Sequence, residues 1–415
     1  MTKTVRTCGK LYLAGEYSVL TAGQGAILKN IPIYMTGKIH FSERYQLFSD
    51  MFDHTVDLTP DDEYSLIQDT VAVMNEFLQS RSISLRPFFL TITGKMEQDG
   101  KKIGLGSSGS VVVLTIRAIT ALYGLALSAE ETFKLAAYVL LKRGDNGSMG
   151  DVACIAYEDL IYYQSFDRKR IAEQINESPL ESILAQDWGT VIRRIQPQLT
   201  FDFFVGWTKE PAISRDLINQ VKSAISSSFL TQTQEEVLRL EKALLAGEKE
   251  IMKESLEKVS HLLAELSPAI YNEKLRALKR ASQGLDCVAK SSGAGGGDCG
   301  IALSFSETDS QILVERWRHR IDVHAVGTHA HDAAQAARTE FEIFVEALDK
   351  LFHIVVHQVF NLLFRRLVIV AVEPTLGFFQ NQLFQFVCHK FISFIYSLTS
   401  EVPKKLYANI RNKIR

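Results

Sequence analysis

Two glycine-dense loops limit what this chain can fold into. The first, IGLGSSGSVVV at 103–113, sets three glycines and three serines within seven residues and then runs straight into valines. The second, KSSGAGGGDCG at 290–300, packs five glycines and two serines between two apolar stretches. Glycine lets a backbone adopt φ > 0 and bring its N–H groups close to a ligand. The residues after the first loop, SVVVLTIRAITALYG, carry apolar side chains at helical spacing, so that loop opens a helix. A helix start offers unpaired N–H donors and partial positive charge, which suits phosphate. Serine hydroxyls there add hydrogen bonds or a Mg²⁺ ligand. No GK[ST] follows, so this is not the Walker pattern. Taken alone, the stretch fits a ligand-free Gly/Ser helix cap as well as a phosphate cradle. The second loop shifts that balance. A hairpin turn needs one or two glycines. Five point to a backbone lying against something bulky and anionic, with a plain flexible loop as the alternative.

Strands and helices mix along the chain without strict alternation. Strand character fills 4–20 and 24–43, broken by Gly-containing turns, and returns at 85–93, 160–164, 191–195 and 201–207. Helical spacing marks 63–79, 109–123 and 129–142, the last with Ser128 as its N-cap. A glycine-punctuated turn, RGDNGSMGD, occupies 143–151. From about 213 to 283 the chain reads as amphipathic helix, most clearly at 235–266, and 287–305 reads as strand, glycine loop, strand. This order predicts an α+β protein of two lobes rather than a doubly wound sheet.

A third stretch, GKLYLAGEYSVL at 9–20, sets Lys10 among apolar residues in a core-type strand. Buried lysines need partners. Lys10 is either an edge lysine reaching solvent or a cation aimed at a carboxylate or phosphate. Composition narrows the partners. A net charge of −2 over 415 residues gives no reason to expect nucleic acid. Five scattered cysteines, without a CxxC pair, predict a reduced cytoplasmic setting rather than a disulfide scaffold or a zinc site. The N-terminus, MTKTVRTCGK, lacks the apolar run of a secretory leader.

The three stretches in this order, GK-x-x-L-x-GEY, GLGSS and SGAGGGD, resemble the motifs of the GHMP kinase superfamily. Within it, Glu16-Tyr17 in place of Glu-His, the turn GDNGSMGDVA (144–153) and GWTKEPAISRDL (206–217) are similar to the phosphomevalonate kinases of bacterial type. The resemblance spans roughly 1–325. It implies a two-lobed GHMP-kinase fold, with a mixed-sheet N-terminal lobe at 1–185 and a helix-rich C-terminal lobe at 186–328. ATP would sit between the lobes, its phosphates wrapped by Gly104, Leu105, Gly106, Ser107, Ser108, Gly109 and Ser110. Ser107 and Ser108 would ligate Mg²⁺. Asp151 matches the acidic residue named as catalytic base, and Lys10 would lie beside it on the transferring phosphoryl group. Ser148, Ser214, Ser291 and Ser292 would line the acceptor pocket, with Gly293, Gly295 and Gly296 in the wall towards the nucleotide. Lys101 would meet an acceptor phosphate, although a solvated surface lysine in DGKKIG is the alternative. The implied reaction is phosphorylation of 5-phosphomevalonate by ATP. Mevalonate kinase, a diphosphomevalonate decarboxylase-like activity and a non-catalytic ligand sensor are the competing expectations.

The sequence departs from the superfamily in two places. Several relatives place a Glu, as second Mg²⁺ ligand, about three helical turns before the catalytic Asp. Here FKLAAYVLLKRGDNG has no acidic residue at that level, leaving Asp145 as a candidate ligand or a turn-former. The segment ETDSQILVERWRH (307–319) supplies a helix and IDVHAV (321–326) a closing strand, but 329–415 resembles nothing in the family. That tail holds nearly half of the 24 Phe. Its apolar run at 351–372 carries His353, His357, Arg365 and Arg366, which predicts a buried or amphipathic helix ahead of a membrane span. An added helical module, a membrane-surface anchor, a partner-binding segment and an altered reading frame all remain compatible with it.

Overall fold

The computed structural model describes residues 1–94, 96–98, 101–210, 214–320 and 324–329. The chain divides into two compact units, Met1–Gln335 and Ala336–Arg415. All of the second unit lies outside the described residues, and with it the expectations for the run at 351–372.

Among the described residues, seven strands build a first sheet. β1 (Lys3–Ala14) pairs antiparallel with the long β2 (Gly25–Phe41). The sequence suggested strand as far as 20. Instead, Gly15 at φ +93 lets the chain turn against the Ala26 backbone, and a 3-10 turn, Ser18–Leu20, follows. The sheet continues in the order β4 (Thr55–Val56), β3 (Gln46–Ser49), β5 (Phe88–Thr93), β2, β8 (Ile161–Gln164), β9 (Val191–Arg194). Only the β3–β5 ladder within it is parallel. β6 (Glu97–Gln98) and β7 (Lys101–Lys102) form a separate short ladder just ahead of the first glycine loop.

The helices show why their sequences chose this form. α1 (Ser65–Ser80) buries Ile67, Val71, Met74 and Leu78, one face at three- and four-residue spacing. α2 (Ser107–Tyr123) is buried nearly all round, as its valine run requires. α3 (Ala129–Lys142) begins with a full capping box: the Glu131 N–H donates to Ser128 Oγ and the Ser128 N–H to the Glu131 carboxylate. α4 (Gly150–Tyr157) starts inside the stretch that the sequence suggested was a turn. α5 (Arg168–Ile175) and α6 (Leu180–Ala185) lead to β9, so the first sheet extends past the expected lobe boundary at 185.

A second sheet, in the order β11 (Cys287–Ser291), β12 (Cys299–Ser304), β10 (Asp202–Trp207), β13 (His324–His329), is antiparallel throughout. Its side chains alternate between two cores. Phe203, Val205, Ile301 and Leu303 join the main core shared with the first sheet. Phe204, Ala289 and Ala302 meet Leu278, Leu313 and Trp317 in a smaller one. The helical region expected over 213–283 resolves into four: α7 (Ser214–Val221), α8 (Ser227–Ala246), α9 (Lys249–Leu266) and α10 (Glu273–Ala281). Gly247 at φ +74 ends α8 and splits the run at 235–266 into a helical hairpin. α11 (Glu307–Glu315) and a π-helical turn (Arg316–Arg320) precede β13, which lies three residues later than the expected 321–326. No described helix is long and apolar enough to cross a membrane. Cys8, Cys154, Cys287 and Cys299 are buried free thiols, and burial pushes Cys8 up to about 12.

Candidate active site

The register of β1 shifts between Cys8 and Gly9. Beyond that irregularity the Lys10 N–H bonds to the Leu105 carbonyl at 2.9 Å, tying the strand to the first glycine loop. A bulge of this kind re-aims a side chain. Here it serves Lys10, whose Cε would lie 2.8 Å from a Cβ added at Gly106. On the loop's other side, a Cβ at Gly104 would fall 2.6 Å from the Asp298 side chain. Both glycines have left-handed φ, +88° and +82°, so backbone alone fits between lysine and aspartate.

Gly106 is the N-cap of α2, with no side-chain cap and no acidic residue in the first turn. The N–H groups of Ser107, Ser108 and Gly109 therefore lack intrahelical partners, the arrangement that binds anions. Ser107 is half-buried and Ser108 exposed. Ser110 departs from its expected role on phosphate. It is fully buried and donates through its hydroxyl to the Cys8 carbonyl at 2.9 Å, while its backbone carbonyl accepts from Thr7 Oγ1 at 3.2 Å. It bolts the helix to β1.

Asp151 stands in the first turn of α4, against the same loop. A Cβ at Gly109 would come within 3.0 Å of its Oδ2. Burial holds the Asp151 carboxyl above the usual range. The Lys10 ammonium pulls it back, and the Asp145 carboxylate pushes it further up. Asp145 itself accepts the Gly147 N–H at 2.6 Å, the contact of a turn-forming aspartate. Ser148 is buried, with its hydroxyl 2.8 Å from Tyr12 Oη and accepting from the Gly150 N–H at 3.1 Å.

The second glycine loop reaches the site through Tyr12. Ser292 Oγ accepts from the Tyr12 N–H and donates to the Tyr12 carbonyl, both at 2.9 Å. Ser292 thus clasps the second glycine loop to the first strand. Ser291 is buried, with its N–H on Tyr271 Oη at 3.2 Å. Gly293 has φ +77 and open space around it. Gly295 and Gly296 instead face backwards, where added Cβ atoms would strike the Ile270 carbonyl at 2.4 Å and Leu217 at 2.7 Å. These two glycines are needed for packing behind the wall rather than on its ligand face. Lys101 and Ser214 stand in β7 and at the start of α7, and their side chains lie outside the described residues.

Sequence reasoning missed three participants. Tyr12 links Ser148, Ser292 and Lys10, whose Nζ sits 5.5 Å from its ring centroid. Glu16 and Lys290 form an ion pair at 2.5 Å between the first and third motifs. The signal for Lys290 was present: like Lys10, it is a lysine in an apolar strand sequence, CVAK. Three non-glycine residues with positive φ also meet here: Tyr17 (62°), Met149 (67°) and Asp298 (50°). Strain of this kind gathers where geometry matters for function.

A basic side chain and a carboxylate held on either side of an anion-ready helix start are what phosphoryl transfer needs. The chain belongs to the GHMP kinases. The model of the GHMP kinases N terminal domain matches residues 66–159, and that of the GHMP kinases C terminal matches 240–322. Within that family it is similar to the Streptococcus pneumoniae phosphomevalonate kinase solved with phosphomevalonate and AMPPNP. The two are 53% identical over 79% of this chain and 100% of that one, with a TM-score of 0.77. The phosphomevalonate kinase of Streptomyces sp. (strain CL190) is 29% identical over 344 residues, 74% of this chain and 92% of the relative. The Methanococcus jannaschii mevalonate kinase shares the fold at 20% identity, over 80% of this chain and 99% of that one, with a TM-score of 0.61.

Proposed function

We propose that this chain is a phosphomevalonate kinase. It transfers the γ-phosphoryl of ATP to (R)-5-phosphomevalonate, giving (R)-5-diphosphomevalonate, in the cytoplasmic mevalonate route to isoprenoids. The observation that carries this reading is the 53% identity, over 79% of this chain and the whole of the other, to a relative solved with phosphomevalonate and AMPPNP. The placement of Lys10 and Asp151 against the first glycine loop supports it.

The ATP phosphates lie on the N–H groups that open α2, between Lys10 and Asp298. The attacking group is a phosphate oxygen. With a second pKa of about 6, that phosphate is mostly dianionic at neutral pH and needs no strong base. The barrier is the approach of two anions, so neutralising charge matters most. Lys10, against Gly106, carries that task. The oxygen donors of Ser107, Ser108 and Asp151 suit Mg²⁺, a hard cation, and would hold it. Held there, Mg²⁺ would supply charge neutralisation for the phosphates. Asp151 orients Lys10 or holds the metal. Ser148, Gly293 and the Ser292 clasp shape the acceptor side, with Lys101 and Ser214 as further contacts of the acceptor.

ADP release from ATP and Mg²⁺ is measured with mevalonate, 5-phosphomevalonate or 5-diphosphomevalonate in parallel. Turnover with 5-phosphomevalonate alone is the expected result. Turnover with another acceptor keeps the fold and moves the enzyme along the route. Silence with all three overturns the reading.

A further inference from the structure

The first and third motifs meet at a charge pair that the phosphate cradle does not use. Glu16 and Lys290, 274 residues apart in sequence, are 2% and 1% exposed, and Lys290 Nζ donates to Glu16 Oε1 at 2.5 Å. A pair so fully removed from water gives little net stability, because desolvating both ions offsets their attraction. Well-packed apolar residues would serve stability as well. What the pair provides is geometry. Lys290 Nζ also donates to the Ser291 carbonyl at 2.6 Å, at the point where β11 enters the glycine loop. The next residue after Glu16, Tyr17, is held at φ 62° and donates its hydroxyl to the Ala294 carbonyl at 2.5 Å. With the Tyr12–Ser292 clasp, the strand end grips the loop at three successive places. Two buried oxygens at this junction, Glu16 Oε2 and Ser291 Oγ, have no hydrogen-bond partner among the described residues. Unsatisfied polar atoms of this kind cost stability and call for another explanation.

We propose that Glu16 and Lys290 are positioning residues: their pair fixes the glycine loop at 292–297 against the first strand, and so sets where the acceptor stands relative to Lys10. Neither residue touches the reacting atoms. The kinetic part of the inference rests on the kinase reading above; the structural part does not.

The test uses the full chain and three variants: Glu16→Gln, Lys290→Met, and the two combined. Amide hydrogen exchange of 292–297 is followed beside the kinetic constants for 5-phosphomevalonate and for ATP. In both single variants the loop amides exchange at least about tenfold faster while β10 and β12 keep their rates. The acceptor KM rises about tenfold and the ATP KM stays within about twofold, the split expected when positioning of one substrate fails. The double variant, with no uncompensated buried charge, regains the melting temperature but keeps the fast loop and the high acceptor KM. If the single variants do not fold, the double variant decides alone. Parental loop exchange and parental acceptor KM in folded variants overturn the proposal. So does a double variant that restores both together with stability. Should the parent enzyme refuse 5-phosphomevalonate, the exchange rates still decide on the bolt, so failure of the kinase reading is told apart from failure of this one.

Discussion

Lys10 and Asp151 press on the two ends of one short stretch, Gly106 to Gly109, yet their surroundings ask different things of them. A phosphate nucleophile that is already ionised makes charge neutralisation worth more than proton removal. We expect Lys10→Ala to lower kcat by about 10³-fold, at the upper end for loss of one stabilising donor. Asp151→Ala should lower it no further than that. Steady-state assays of the two variants decide, and clearly higher activity in the Lys10 variant refutes the ranking. Asp151 also links function to stability. Burial raises its pKa, so between the unfolded and the raised folded pKa the folded chain holds a proton that the unfolded chain has released. Stability therefore falls as pH rises from the usual carboxylate range through the raised pKa, and the penalty is complete above it. Asp151→Asn removes that penalty. Its unfolding free energy should exceed the parent's by on the order of 1 kcal/mol at neutral pH, a common gain when a functional site is relaxed. The gap should close as pH falls to about 4, where the aspartates of the unfolded chain protonate. Thermal melts across pH, with a parallel activity assay, check both signs. At this scale the sequence showed Lys10 because a lysine in a strand demands a partner. It did not show that Lys290 meets Glu16, since that partnership exists only once two distant strand ends come together.

Local chemistry explains which elements could be read in advance. Ser128 and Glu131 form a capping box wherever the chain places them, and α3 begins where they announce it. Ser128→Ala should cost about 1 kcal/mol of stability, the usual value of a lost N-cap, without changing kcat. Denaturant melts would show it. The break between α8 and α9 was hidden, because Gly247 lies within one amphipathic pattern and its left-handed turn depends on how the hairpin packs. The early α4 was hidden too, since glycines at 144–150 suggest a turn and only burial of Val152 to Ala156 makes a helix there. The second glycine loop separates two kinds of glycine. Gly295→Ala sets a methyl 2.4 Å from the Ile270 carbonyl at φ +72, whereas Gly293→Ala meets open space at φ +77. The second should cost about 1–2 kcal/mol for backbone strain alone, and the first clearly more. Equal costs in denaturant melts would mean that the wall behind the loop gives way.

At the scale of the whole molecule, β13 marks where the kinase body closes. β10 is paired on both sides, by β12 and by β13, and carries Phe203, Val205 and Trp207 into the core. A chain ending at Gln335 keeps that strand. It should melt within about 2 °C of the full chain and retain kcat within about twofold, since small differences of this size reflect well under 1 kcal/mol. A chain ending at Arg320 exposes β10 as an edge and should aggregate or fail to fold. Melting curves and turnover of both decide, and loss of folding in the longer one would show that 336–415 is needed. The two-lobed α+β frame was legible because its three motifs are local, but the division of strands between sheets was not. β9 joins the first sheet through pairing with β8, a choice that the residues at 191–194 cannot announce by themselves. The bond between Tyr12 and Ser292 spans 280 residues. On the ribosome, the strand bearing Lys10 is made well before the loop that completes its site. Vectorial synthesis thus keeps an emerging chain from holding a finished acceptor site, and full affinity for the acceptor becomes a mark that translation has passed the third motif.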